Sequence, residues 1–235
     1  MGSVAERIAA GYADTEALAA DGGEWAVVAG VPCEHLPVPQ PWATSARLLV
    51  LDGPAPASVV AEVSAWLAAR SPQWTLFVRA TQAPVSGFTT WTHLPALHLA
   101  EPLAAAPTPS GVHIGPARDA DEFLAAYGRV MAPLVTPAHV ASPRLHHLVA
   151  RHDGEVVGCA KVALIGDTAR VSGVSVLPAY RRRGIGAALS REASLFGLGL
   201  TDLVWLHCTD ASRPIYERLG YRHVDDHLQL ALAGT

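Results

Sequence analysis

The sequence lacks the features that would place this protein in a membrane or outside the cell. Its 235 residues contain no uninterrupted apolar run of about 18 residues, the length that spans a bilayer. Because no basic stretch precedes an apolar one near the start, we expect no signal peptide. The three cysteines, Cys33, Cys159 and Cys208, are an odd and scattered set that favours reduced thiols over disulfides. We therefore expect a cytoplasmic protein that binds no membrane.

The charge balance argues against nucleic acid as a partner. The formal net charge is −4, from 17 basic and 21 acidic side chains, whereas nucleic-acid-binding domains are usually basic. Half of the residues are hydrophobic, which is enough for a large core. Against this acidic background, Arg181, Arg182 and Arg183 form a local cluster of positive charge. They predict a site for a small anion.

The arginine cluster opens a loop (residues 181–186, the phosphate loop) between a predicted strand, residues 170–177, and a predicted helix, residues 187–200. Gly184 and Gly186 lack the Cβ atoms that would keep a phosphate away from the backbone. The helix start adds unpaired N–H groups and the positive end of the helix dipole. The loop has neither the third glycine of dinucleotide-binding motifs nor the Gly-Lys-Ser/Thr of triphosphate-binding loops. It predicts a phosphorylated ligand of another kind.

Arg181, Gly184 and Gly186 resemble the Arg/Gln-x-x-Gly-x-Gly/Ala signature of the GNAT superfamily, acetyltransferases that use acetyl-coenzyme A. Residues 212–221 resemble the second signature of that family, a short helix that carries a tyrosine and ends in Gly-Phe/Tyr. Gly220 suits the left-handed end of such a helix. From about Val112 to Leu232, the predicted order of elements is also that of the family: strand, helices, three antiparallel strands, helix, strand, helix, strand.

Two local patterns support this order of elements. Asp153-Gly154 predicts a hairpin turn between strands at residues 147–151 and 155–165. Asp119-x-x-Glu122 predicts a capping box that opens a helix. The apolar face of that helix is expected to carry Phe123, Tyr127 and Val130.

The resemblance implies a mixed α/β fold, whose mostly antiparallel sheet splays between two parallel strands and is flanked by helices. We assign it to residues 112–235, the second half. Residues 101–111 carry three prolines and are the predicted linker. Residues 1–100, the first half, show a weaker echo of the same order: strand 47–51, helix 58–70, strand 74–78 and a strand near 90–99. We predict a smaller, degenerate GNAT-like α/β region there, with no cofactor site and no chemistry; an unrelated α/β extension is the alternative.

The resemblance also implies where acetyl-coenzyme A would bind as co-substrate. The strand before the phosphate loop would offer its backbone to the pantetheine arm, with a bulge at Gly173. The pyrophosphate would lie on the loop and helix start. At positions 209 and 212 the family often has Asn and Ala, whereas this sequence has the hydroxyl side chains of Thr209 and Ser212. The predicted binding residues are Val174, Ser175, Val176, Arg181, Arg182, Arg183, Gly184, Ile185, Gly186, Ala187, Thr209 and Ser212.

Tyr216 is the predicted general acid. Its phenol has an ordinary pKa of about 10, so it is protonated at neutral pH and can donate to the departing thiolate. Direct attack by a neutral amine needs no covalent enzyme intermediate. For the base, His207 and Asp210 are candidates at the end of the following strand, although a lone histidine in an apolar strand is more often a packed, hydrogen-bonded residue.

The acceptor is expected between residues 127–139 and residues 223–227. Asp225 and Asp226 could form an acidic wall that attracts a cationic amine, or could merely end a surface hairpin. The neighbouring histidine pairs at 146–147 and 223/227 lack a third ligand, so we expect no metal.

The predicted function is an N-acetyltransferase that acts on a primary amine of a small molecule. Two alternatives stay open: a protein or peptide N-acetyltransferase, and a non-catalytic module that binds acyl-coenzyme A for regulation. Tyr216 favours an enzyme, whereas the departures at Thr209 and Ser212 favour the binding module. The sequence does not specify the oligomeric state.

Overall fold

The computed structural model describes residues 2–14 and 23–233. Its helices and strands are, in chain order, α1 Val4–Gly11, β1 Glu24–Val28, β2 Val31–His35, β3 Thr44–Arg47, α2 Ala57–Ala68, β4 Thr75–Arg79, β5 Phe88–Leu99, β6 Val112–Pro116, α3 Ala120–Tyr127, α4 Pro137–Ala141, β7 Leu145–His152, β8 Glu155–Ile165, β9 Thr168–Val176, α5 Ile185–Leu198, β10 Val204–His207, α6 Arg213–Arg218 and β11 Tyr221–Leu232. None of these helices is long and apolar enough to cross a membrane.

The described strands form one sheet in the order β1-β2-β3-β4-β11-β5-β10-β9-β8-β7-β6. Only β3–β4 and β9–β10 are parallel pairs, and each is connected through a helix, α2 or α5. The last strands of the two halves exchange places: β5 pairs with β10, and β11 pairs with β4. The two strands also pair with each other at the centre. The mixed α/β architecture is therefore confirmed, and the two halves share its sheet. The division into two regions and a linker stays a prediction.

The local turn and capping patterns of the second half are largely confirmed. Asp153 and Gly154 take φ of 51° and 86°, the conformation of a two-residue hairpin turn. The Asp119 side chain caps α3 by accepting from the Glu122 N–H at 2.8 Å. The expected helix face is wrong at Val130, which is 52% exposed. Gly128 ends the helix, with φ of 103°, before Val130 is reached.

One strand of the first half is misplaced by the sequence pattern. The predicted strand 47–51 is wrong, because β3 ends at Arg47 and Leu48–Val50 form a 3-10 turn. Leu48 and Leu49 are buried within that turn, and a short apolar run does not distinguish a strand from a buried turn. Helix α2 is confirmed and buries Val63 and Leu67.

The predicted splay lies beside β9. Strands β9 and β10 pair only from Ala169↔Val204 to Val171↔Leu206, and β10 then ends while β9 continues to Val176. Within β9 the register with β8 shifts at Gly173, whose φ is 61°. The splay and the bulge at Gly173 are confirmed, and they leave the edge of β9 from residue 172 onward without a neighbouring strand on that side.

Candidate active site

The phosphate loop presents bare backbone at the start of α5. Arg182 and Gly184 take left-handed conformations, with φ of 63° and 86°. The first bond of the helix runs from Ala188 N–H to the Gly184 carbonyl. Among the hydrogen bonds of the described residues, none uses an N–H group from Arg182 to Ala187. A Cβ atom on Gly186 would meet nothing closer than Val176 Cγ2 at 3.8 Å. The space above this backbone suits the phosphate groups of a coenzyme A molecule.

The three arginines of the loop have different roles. The Arg181 Nε donates to the Val176 carbonyl at 2.9 Å, which ties the loop to the end of β9. The Arg183 guanidinium lies 5.2 Å from the centre of the Tyr180 ring. All three arginines are exposed, so their charges are available to a polyanion at the surface. Ile185, in contrast, is buried under the sheet and anchors the helix.

The remaining predicted cofactor residues are placed with mixed outcomes. Val174 and Val176 pack on the core beneath α5, and the Ser175 hydroxyl donates to the Ala126 carbonyl at 2.9 Å, on the other face. The side chains of this segment therefore contact the two faces of the sheet, and the binding of a pantetheine arm by its backbone stays a prediction. Thr209 and Ser212 bond to each other: the Ser212 Oγ accepts from Thr209 N–H at 3.1 Å and lies 3.1 Å from the Thr209 Oγ1.

Tyr216 lies on α6, packs in the same core as residues of α5 and is 8% exposed. Its ring centre is 6.0 Å from that of Tyr221, and its hydroxyl lies beside Ser190 in the second turn of α5. Burial raises the pKa of the Tyr216 phenol, against a smaller opposite effect of the Ser190 hydroxyl. The phenol therefore holds its proton at neutral pH.

A cavity of about 350 Å³ opens on the opposite face of the sheet, next to the splay. Side chains alternate along the strands, so Val162, Val171 and Leu206 pack under α5 while their neighbours face the cavity. The second half contributes Tyr127, Lys161, Arg170, Ser172, Gly173 and His207 to its wall. This volume is in the range of small-molecule sites in proteins.

The first half supplies the other side of this cavity. Its wall carries Tyr12, Glu34, Trp42 and Arg47. Trp42 and Leu134 of the second half both pack against the cluster of Leu36, Val38 and Ala43. The first half thus lines the cavity, while the expectation that it has no cofactor site and carries no chemistry stays a prediction. Its contribution depends on the exchange of β5 and β11, and no motif in residues 1–100 signals it.

The predicted acceptor residues are only partly brought together. Residues 127–139 reach the cavity through Tyr127, Leu134 and His139, as expected. The acidic wall is corrected: Asp225 and Asp226 are not among the lining residues. Asp226 instead bonds to His93 and His223. Asp210 is exposed at the turn before α6 and does not line the cavity.

A chain of side chains connects the cavity to Asp225. The Tyr12 hydroxyl lies 3.4 Å from His207 Nδ1, and His207 Nε2 lies 2.8 Å from His227 Nδ1. The fully buried His227 then places its Nε2 at 3.5 Å from the Asp225 Oδ2. That carboxylate accepts from the Arg79 Nε at 2.7 Å. His207 is therefore both a packed, hydrogen-bonded histidine and a candidate base.

The ends of this chain fix its proton arrangement. Burial and then the neighbouring His227 lower the pKa of His207 well below its ordinary value, so the His207 ring is neutral at neutral pH. Burial by itself raises the pKa of Asp225, but the neighbouring His227 and the charge of Arg79 lower it, so the net pKa is below the ordinary value. Asp225 therefore resists protonation. An ionised carboxylate can only accept, so we assign the His227 proton to Nε2 and the His207 proton to Nε2. His207 Nδ1 is then left to accept from Tyr12.

We expect the protein to lose stability in acid because of a second buried histidine. Both ring nitrogens of His147 are buried without a hydrogen-bond partner among the described residues, and burial lowers its pKa to about 3. The unfolded chain, with an ordinary histidine pKa of about 6.5, therefore binds more protons as pH falls from about 6.5 to 3. The melting temperature should fall through this range, and less steeply for His147→Leu. An unchanged slope in His147→Leu, or the same flattening in the exposed control His113→Leu, would contradict this cause.

Residues 143–223 match the model of the acetyltransferase (GNAT) domain family. Over 78 residues, 32% of the chain, the sequence is 45% identical to the mycothiol acetyltransferase of Nocardia farcinica. Over 99 residues, 39% of the chain, it is 34% identical to the N-alpha-acetyltransferase RimI of Mycobacterium tuberculosis. These matches cover 25% and 61% of the two relatives. Residues 143–223 therefore resemble the acetyltransferase (GNAT) domain, and the matched segments span less than two thirds of either relative.

The likeness in three dimensions extends over the whole chain. A solved GCN5-related N-acetyltransferase from Kribbella flavida aligns over 100% of this chain and 98% of its own, with a TM-score of 0.75. The two sequences are 22% identical, so this comparison concerns the fold alone. The first half, with its exchanged strand, is therefore part of an arrangement that another chain of the same fold also adopts.

Proposed function

We propose that the protein transfers an acetyl group from acetyl-coenzyme A to a primary amine of a small molecule in the cavity. The observation that carries this proposal is the continuity of three features along β9 and the loop after it. Free N–H groups lie at residues 182–187, an unpaired backbone edge follows β9 from residue 172, and Gly173 reaches the cavity wall. The same segment therefore carries a phosphate cradle, then a slot for an extended arm, and then a pocket.

The residues present fit acetyl-coenzyme A as the acyl donor. The loop would hold its phosphates, and the backbone of residues 174–176 could pair with its pantetheine arm as an added strand would. Bound there, it supplies a thioester that an amine can attack directly. The chain's own task is to orient the amine beside the splay and to move two protons.

The two protons are assigned to opposite faces of the sheet. Tyr216, on the α5 face, holds a proton that can pass to the sulfur when the carbon–sulfur bond breaks and the carbon–nitrogen bond forms. On the cavity face, the attacking nitrogen can release a proton to Tyr12 and His207, which bonds to His227; the His227 Nε2 in turn lies 3.5 Å from the Asp225 Oδ2. Atoms and charges balance with no covalent enzyme intermediate.

We expect Tyr216→Phe to reduce kcat by about 100-fold or more while acetyl-coenzyme A still binds, because positioned general acids contribute about 10²–10⁴-fold. Release of coenzyme A with a panel of amines measures the rate, and calorimetry measures the affinity. Tyr221→Phe is the matched control, since its buried hydroxyl bonds to Ser194 at 2.7 Å rather than facing α6. Equal losses in both variants would refute the assignment.

The same panel of amines also tests the two alternative functions, a non-catalytic binding module and a peptide acetyltransferase. Binding of acetyl-coenzyme A without turnover for any amine would indicate the non-catalytic module. The RimI relative is named an N-alpha-acetyltransferase, which favours an α-amino group as the nucleophile. The cavity has a volume of about 350 Å³ and is walled by both halves, which favours a free small molecule over a peptide chain. Efficient acetylation of peptides alone would reverse that preference.

A further inference from the structure

The wall of the cavity carries more positive than negative charge. Lys161, Arg170 and Arg47 line it, with Glu34 as the single carboxylate among the described lining residues. Glu34 is already engaged: it pairs with Arg47 at 2.7 Å and accepts from the Ser45 hydroxyl at 2.9 Å. Two cationic side chains, Lys161 and Arg170, are therefore left without a carboxylate.

Lys161 and Arg170 are neighbours on adjacent strands. Lys161 of β8 lies opposite Ser172 of β9, and Arg170 is two residues from Ser172 on the same face. Such diagonal positions are about 7–8 Å apart, within reach of two long side chains. The two cations therefore converge on one part of the cavity.

Neither side chain has an ionic or hydrogen-bonded partner among the described residues. Lys161 is the single lysine in the 235 residues, and no hydrogen bond or ion pair of the described chain involves it. The Arg170 guanidinium rests near the rings of Tyr12 and Trp205, at 5.7 and 5.5 Å from their centres. Its Nε is buried without a hydrogen-bond partner. Burying cations in this way is costly unless a bound anion compensates them.

We propose that Lys161 and Arg170 form a carboxylate-binding subsite within the cavity. The guanidinium offers a planar fork that matches a carboxylate, and the ammonium adds a second charge beside it. The identification of this ligand as a substrate rests on the proposed acetyl transfer, but the binding of a carboxylate does not. The small molecule would thus be an amino acid or a similar amine with an acidic group, rather than a polyamine.

The carboxylate could reach this subsite from either reactant. It could belong to the amine, or to the transferred acyl group if that group is longer than acetyl and ends in an acid. Both sources present the same chemistry to Lys161 and Arg170. Matched pairs separate them: glycine and β-alanine against their amides test the amine, and succinyl- against acetyl-coenzyme A tests the acyl group.

The single lysine permits a direct measurement of the subsite. Protein labelled with isotopic lysine gives a side-chain NMR signal that belongs to Lys161 alone. Burial, with a further effect of Arg170, lowers the pKa of Lys161 to about 8, so the signal titrates in an accessible range. Succinate should raise this pKa by about one unit, which corresponds to about tenfold tighter binding to the protonated amine. Succinamide should leave it unchanged.

Other groups near Lys161 do not titrate with it between pH 7 and 9. Burial raises the pKa of Cys159 to about 12 and raises that of Tyr127, while it lowers the pKa of His147 to about 3 and that of His207 well below its ordinary value. Carboxylate binding should therefore be strong at pH 7 and weaken as pH rises through about 8. The remaining charged or titratable groups that line the cavity are Tyr12, whose pKa burial raises, and Arg170, Arg47, Glu34 and His139.

Four variants complete the test. Lys161→Met and Arg170→Met should each lose the preference for succinate over succinamide by about tenfold or more, and Lys161→Met should melt no lower than the wild type. Lys161→Arg should keep the preference but lose its pH dependence, and the exposed Arg218→Met should change neither.

Equal binding of succinate and succinamide to the wild type, or phosphate bound more tightly than any carboxylate, would overturn the subsite. Carboxylate binding without turnover of any amine would leave the subsite in place and refute the acetyl transfer.

Discussion

Substituting Gly186 by valine is expected to weaken acetyl-coenzyme A binding by about 100-fold or more, a loss of about 2.7 kcal/mol, in a protein that still folds. Gly186 lies in the first turn of α5, where the N–H groups are free. The first Cβ atom fits, since Val176 Cγ2 is 3.8 Å away, and the backbone is not left-handed. The valine methyl groups would stand where a phosphate must approach. Calorimetry with coenzyme A measures the loss.

The same substitution at Gly53 is the matched control. A Cβ atom on Gly53 meets nothing within 4 Å, and its backbone is not left-handed either. Gly53→Val should therefore bind coenzyme A as the wild type does. Gly184 is a poorer probe, because its φ of 86° would strain any side chain and confuse folding with binding. Undiminished affinity in folded Gly186→Val would remove the phosphate loop from the site.

The segment from β7 to α6 could be predicted because each of its elements is specified locally. The turn at Asp153-Gly154 and the bulge at Gly173 depend on residues that tolerate left-handed backbone, and their positions follow from the sequence alone. Gly184 and Gly186 likewise mark the loop. These features depend on local backbone conformation, which short patterns describe well.

The cavity could not be predicted because it depends on contacts between distant segments. Its wall joins Tyr12, Glu34 and Arg47 to Lys161 and Arg170, and these come together only when β5 and β11 exchange places. Charge patterns along the sequence favoured Asp225 and Asp226, whereas the cavity carries cations. The sequence does contain one overlooked signal, a single lysine set in the apolar strand β8.

Replacing His207 by glutamine is expected to lower kcat by about 100-fold near pH 7, within the usual range for a positioned base. In the wild type, burial and then His227 keep the pKa of His207 low, so the ring stays neutral throughout the neutral range and its Nδ1 can receive the amine's proton during the reaction. Without it, the attacking amine must lose its proton to solvent. The rate of His207→Gln should therefore rise steadily with pH up to about 9, while the wild-type rate levels off at lower pH. Steady-state rates across this range measure the difference.

In the series Tyr12, His207, His227 and Asp225, the residues farther from the cavity should affect the same pH dependence of the rate without contacting the substrate. Asp225→Asn removes the carboxylate that orients His227, so it should lower kcat and leave KM unchanged, as a positioning residue does. His223→Gln is the matched control, because His223 bonds to Asp226 and lies outside the chain. A raised KM in Asp225→Asn would instead favour direct contact with the acceptor. If His207→Gln slowed the reaction equally at every pH, or lost acetyl-coenzyme A affinity, His207 would be a structural residue and the proton would leave by another path.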